Sequence, residues 1–235
     1  MIYVNGDSHS AGAELVNEYC FAADDKRYVA WGSRAHPDAV PYTYGYKIAQ
    51  ALNQPFFLEA ESASSNTRIL RTSRKFVDET KDKSKLFVII GWTTVEREEW
   101  EYLDGYMQIT ASGTDSVPES MQEEYKEWVI KQTPEEIYRK RQLWKEKISQ
   151  FSKELDEQNI KHIFFRTHEY RRYLNEQGYQ TVNGGQHFGI DAHTAWYKYL
   201  LPKVQEQYQI KTGLTQPTKR SIITQVKQEF KGLKR

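Results

Sequence analysis

Apolar residues in this chain gather into four short runs, at Ile2–Asn5, 55–59, 85–91 and Lys161–Arg166. Each is apolar through its centre instead of alternating with polar residues, the pattern of strands buried on both faces of a parallel sheet. Helical spacing fills the intervals. Residues 42–53 precede the second run and 66–80 the third. Thr133-Pro134-Glu135-Glu136 supplies a helix start, with Thr at N-cap, Pro at N1 and Glu at N3. That helix is expected to reach about residue 158, with Ile137, Leu143, Trp144, Ile148, Phe151 and Leu155 on one side. His168 starts another. A last helix over 190–209 carries Ala192, Trp196, Tyr199, Leu200 and Val204. Strands alternating with helices through right-handed crossovers predict an α/β protein, a three-layer α/β/α sandwich with a mainly parallel central sheet.

Two stretches exceed what such a domain needs, residues 19–41 and 101–132, and are read as insertions suited to lids, binding loops or surface decoration. The 235 residues suffice for one sizeable domain, assigned to 1–210. The formal net charge is only +1, which argues against attraction of the whole protein to nucleic acid or membrane. Residues 211–235 hold seven basic residues against Glu229 and form a basic C-terminal extension. The rest of the chain is therefore acidic, at about −5. Any nucleic-acid or acidic partner is expected only through that tail. The single cysteine, Cys20, excludes an internal disulfide. No secretory leader pattern and no membrane-length apolar run is present, so a cytoplasmic location is expected.

Candidate chemistry begins where the first run ends, at Asn5-Gly6-Asp7-Ser8-His9-Ser10. A serine on a strand-to-helix turn is held in a fixed direction, and the helix start offers N–H groups to an oxyanion. Asp7 and Ser8 equally suit capping of the next helix. A base is required beside such a serine. The glycine-rich stretch from Asn183 to His193 supplies His187 and His193 just before and within the last helix.

The Gly-Asp-Ser block resembles the first block of the SGNH/GDSL hydrolases, whose nucleophile is that serine. The resemblance spans about residues 1–205 and implies a flavodoxin-like α/β/α fold and hydrolysis of an ester without a cofactor. Aligned on the family's last block, His187 takes the position of the catalytic histidine, with Phe188 replacing the usual Pro. The expected acid position falls on Gly184, which leaves Asn183, Asp191, a backbone carbonyl or an acid from elsewhere to orient His187. His193 is the rival base. The resemblance implies an oxyanion hole from the Ser8 N–H, an N–H near Ala63–Ser64, and a side chain at Asn66 or Thr93. Gly91 matches the third block, and Thr93 stands where the family has Asn. Gly91-Trp92-Thr93 with Arg97-Glu98, together with Ser65-Asn66 and Arg68-Ile69, is similar to SGNH-type proteins common in bacteriophages. Trp92 and Trp100 are candidates for lining a subsite or for packing. The expected substrate is a small-molecule or carbohydrate ester, including an O-acetyl group.

Two other functions fit parts of the sequence. A degenerate SGNH fold would bind a glycan or partner without turnover, since fold does not confer chemistry. Asp7 and His9 also form an Asp-x-His pair of the kind that holds a cation in metal-dependent phosphoesterases. No later Gly-Asp or Gly-Asn-His element completes such a site.

Overall fold

The computed structural model describes residues 1–16, 34–111, 117–182 and 185–212, the last four by backbone alone. Strands β1 (Ile2–Asn5), β2 (Phe56–Leu58), β3 (Phe87–Trp92) and β6 (Lys161–Arg166) form a parallel sheet in the order β2-β1-β3-β6. Seven α-helices accompany it among the described residues: α1 (Ser8–Ala11), α2 (Tyr44–Ala51), α3 (Asn66–Glu79), α4 (Gln122–Ile130), α5 (Pro134–Glu157), α6 (Thr167–Glu176) and α7 (Ile190–Thr212).

The three layers follow from the side-chain alternation of β1 and β3, which are buried at every position. Ile2, Val4, Phe87 and Ile89 point to one face and pack against Tyr44 and Ile48 of α2, Tyr170 of α6, and Trp196 and Leu200 of α7. Tyr3, Val88 and Ile90 point to the other face and meet Ile69 and Val77 of α3 with Trp144 and Phe151 of α5. The expected α/β/α sandwich with a parallel sheet is the observed fold. The start of α5 is capped as its sequence predicts, the Thr133 hydroxyl accepting the Glu136 N–H at 3.3 Å.

The stretch expected as an insertion over 101–132 is a folded unit that starts earlier. β4 (Arg97–Tyr102) and β5 (Gly105–Thr110) pair as an antiparallel hairpin. Its two-residue turn is Leu103-Asp104, with Leu103 at φ +51°. Gly105 follows the turn as the first residue of β5. Ile109 of the hairpin packs with Val117, Tyr125 and Trp128 around α4, and Trp100 lies edge-on to Trp128 at 6.1 Å. Trp100 is thus packing, not a subsite wall. Arg71 of α3 clamps the hairpin through both Glu99 oxygens, at 2.7 and 3.0 Å. Most of the other expected insertion, Cys20, and the chain beyond 212 lie outside the described residues.

Candidate active site

The catalytic candidates lie just past the C-terminal ends of β1, β3 and β6, the edge at which open parallel sheets bind ligands. Asn5 anchors the end of β1. Its Nδ2 lies 3.1 Å from the Ile69 carbonyl and 2.9 Å from the Ser73 hydroxyl of α3, and its Oδ1 accepts the Gly6 N–H. Gly6 has φ +155°, and a Cβ there would meet Ser10 Cβ at 2.8 Å and the Gly91 carbonyl at 2.9 Å. Gly91 is needed on the same ground, because its own Cβ would meet the Ser10 hydroxyl at 2.8 Å and Phe165 at 3.0 Å. Gly91 therefore makes room for the nucleophile turn and offers no side-chain chemistry.

Asp7 caps α1, its Oδ1 accepting the His9 N–H at 3.1 Å. Its Oδ2 accepts the hydroxyls of Thr93 at 2.8 Å and Thr167 at 3.0 Å, with Arg97 3.6 Å away. Capping and site-building use the two oxygens of the same carboxylate. One buried carboxylate ties the ends of three strands together and fixes the peptide that carries Ser8.

Ser8 Oγ lies 2.7 Å from His187 Nε2. Glu14 Oε1 lies 2.9 Å from His187 Nδ1, off the line of the N–H, so it approaches as an ion-pair partner and not as a straight hydrogen bond. Such contacts commonly tighten only when substrate is bound. A carboxylate there favours the tautomer with hydrogen on Nδ1, leaving Nε2 to accept the serine proton. Glu14 arrives by a short route. α1 lasts one turn and Gly12, at φ +74°, stops it. Glu14 follows at φ +66°, which turns it back toward His187.

Gly184 and Asn183 lie outside the described residues. Asp191 is exposed in the first turn of α7. His193, the rival base, makes its contacts elsewhere. It is buried and stacks on Tyr44, its Nδ1 accepting the Tyr44 N–H at 3.4 Å. Thr93 does not fill the expected Asn role: its hydroxyl hydrogen goes to Asp7, and its oxygen accepts from Arg97 at 3.1 Å. Asn66 is buried at the start of α3 and pairs with the Thr93 backbone, Oδ1 accepting its N–H at 2.9 Å and Nδ2 donating to its carbonyl at 3.1 Å. One Nδ2 hydrogen is left over. Ser64 spends its N–H on the Glu61 carbonyl, so of the Ala63–Ser64 pair Ala63 remains.

Ala63 adopts φ +60°, a conformation that favours glycine. Replacing Ala63 by Gly is expected to leave stability unchanged or raise it by up to about 1 kcal/mol, and Ala63→Val to lower it by about 1–2 kcal/mol. Urea midpoints of the two variants check this; equal midpoints would remove the case for strain.

Two cavities meet at Ser8. One, of about 490 Å³, is lined by Asp7, Ser8, His9, Asn66 and Thr93 on its floor and by Trp92, Trp144 and Ile148 on an apolar wall. The other, of about 580 Å³, includes Glu14, Ala63 and His187. His9 sits behind His187, ring centroids 5.0 Å apart. Burial lowers its pKa to about 4, and burial lowers that of His193 to about 3. A neutral His9 places no positive charge beside the imidazolium that His187 must become. Both histidines also tie stability to pH. Each is neutral in the fold but takes a proton near pH 6.5 when unfolded, so their contribution is complete above about 6.5 and is lost as pH falls toward 4. Unfolding free energy is expected to drop by on the order of a few kcal/mol between pH 7 and 4.5, and less in His193→Gln. Denaturant curves at the two pH values test this, and parallel losses in both proteins would refute it.

Among the described residues, no three His, Cys, Asp or Glu side chains gather as a metal site would require, and Asp7 gives its carboxylate to Thr93, Thr167 and Arg97. No family model matches the chain, and no curated protein matches it.

Proposed function

We propose that the protein is a serine esterase of the SGNH type, with Ser8 as nucleophile, His187 as general base and acid, and Glu14 as the residue that orients the histidine. The observation that carries this reading is the continuous chain from Ser8 Oγ to His187 Nε2 at 2.7 Å and from His187 Nδ1 to Glu14 at 2.9 Å. A base within reach of the nucleophile, itself oriented by a third group, is what activation of a hydroxyl requires.

The steps follow from the geometry. Ser8 Oγ attacks the acyl carbon as its proton passes to His187 Nε2. The oxyanion is met by the Ser8 N–H, the Ala63 N–H and the spare Asn66 Nδ2 hydrogen. Collapse expels the alcohol, which takes the proton from His187 and leaves Ser8 acylated. Water, deprotonated by His187, then releases the acid and restores Ser8. An O-acetyl ester of a carbohydrate is one substrate that this chemistry serves. The metal-dependent phosphoesterase reading is disfavoured by the engagement of Asp7 with hydroxyl and guanidinium donors.

The test is labelling of the wild-type protein with a fluorophosphonate probe, followed by peptide mapping. Adduct on the peptide that contains Ser8 is the expected result. No adduct at Ser8 would overturn the reading in favour of a binding protein.

A further inference from the structure

We propose that the ester taken by this site carries a fixed negative charge, held beside Ser8 by Lys145, Arg166 and Arg171. The inference rests on the serine-esterase reading and adds a substrate class to it.

Five full cations line the apolar-walled cavity: Arg97, Arg141, Lys145, Arg166 and Arg171. Two carboxylates, Asp7 and Glu96, line it with them. Arg97 answers Asp7 at 3.6 Å and Arg141 answers Glu96 at 3.7 Å. Lys145, Arg166 and Arg171 are left without a carboxylate in ion-pair range among the described residues. Glu169, the acid nearest in sequence to Arg166 and Arg171, turns its Oε2 to the Arg166 N–H at 2.9 Å.

This excess is local. Residues 1–210 are acidic as a whole, so the basic cavity runs against the charge of the body that contains it. Its residues are also placed by register. Arg141, Trp144, Lys145 and Ile148 recur at i, i+3, i+4 and i+7 of α5, so one helical stripe presents both cations and the apolar wall. Thr167 and Arg171 recur at i and i+4 of α6, and Thr167 is the residue that holds Asp7. Arg171 is near enough to the catalytic centre that its charge acts on His9. Trp92, whose Nε1 is buried without a hydrogen-bond partner among the described residues, lines the same cavity.

Arg and Lys converging on one cavity recognise a carboxylate, sulfate or phosphate oxyanion, and Trp144 with Ile148 gives the rest of the substrate an apolar surface. The bound ester is therefore an anionic one, with its charged group on the side of the cavity away from Glu14.

The probes are 4-acetoxybenzoate and its uncharged methyl ester, which share the scissile acetyl bond. Wild type is expected to show kcat/KM at least tenfold higher for the carboxylate. The Lys145→Gln/Arg171→Gln protein is expected to bring that ratio close to one. A matched protein, Lys153→Gln/Arg172→Gln, loses the same charge from the same two helices outside the cavity and should keep the ratio. Binding of both compounds to Ser8→Ala, measured by calorimetry, reads the charge preference without turnover. A preference in binding with no turnover by wild type would sustain the anion site while defeating the esterase reading. Equal binding and equal turnover of the two compounds, or equal loss of preference in both double variants, would overturn the anion site.

Discussion

Ser8→Ala is expected to lower turnover of p-nitrophenyl acetate by about 10⁴- to 10⁶-fold. The loss is nearly total because the hydroxyl is the only group that forms the acyl bond, and no neighbouring oxygen replaces it. Ser10, two residues on, has its hydroxyl 2.9 Å from that of Tyr44 and is buried. Folding should be almost untouched. Alanine suits the first position of α1, Asp7 keeps its cap and its bonds to Thr93 and Thr167, and His187 faces solvent-accessible space once its partner is gone. The expected change in stability is about 1 kcal/mol or less. Turnover by the purified variant within tenfold of wild type would remove Ser8 as nucleophile.

Glu14→Ala is the second large effect. Removing the orienting acid of a triad leaves the nucleophile and base in place but frees the imidazole to take the wrong tautomer, and the imidazolium formed in each step loses its counter-charge. A fall in kcat of about 10³- to 10⁴-fold is expected, with little change in KM. Glu14→Gln should recover part of the orientation and none of the charge, and so fall between wild type and Glu14→Ala. Asp191→Asn serves as comparison, since Asp191 is exposed on α7 and away from the ring nitrogen that Glu14 meets. Its activity is expected to stay within about twofold of wild type. A large loss in Asp191→Asn with none in Glu14→Gln would move the acid back to the loop before α7.

Much of this site could be read one residue type at a time. Ser8 and His187 were visible because a nucleophile turn and a glycine-rich loop before a helix have local signatures. Glu14 was not, because its role depends on a fold-back made by Gly12 and on a loop 173 residues away in the chain. The brevity of α1, with glycine four residues after Ser8, was the only local hint. Thr93 illustrates the converse. Its position just past β3 is legible, yet which acceptor its single hydroxyl hydrogen chooses depends on Asp7, 2.8 Å away beyond the end of β1. The β4–β5 hairpin is harder to read, because its two-residue turn is Leu103-Asp104 and puts Leu103, not a glycine, at φ +51°.

By itself the sequence determined the α/β alternation and the parallel sheet. Runs such as Phe87 to Ile90, apolar on both faces, can be buried only when helices cover both sides. It also determined the capped start of α5 and the place of Ser8 just past the end of β1, since these rest on neighbours within a few residues. The tertiary structure decided the rest. Which carboxylate meets His187, which hydroxyls fix Asp7, and which cations stand unpaired at the cavity depend on residues brought together from β1, β3, α5, α6 and the loop before α7. Ion pairs and hydrogen bonds act over a few ångströms in space, and spacing along the chain constrains them only inside a single helix, strand or turn.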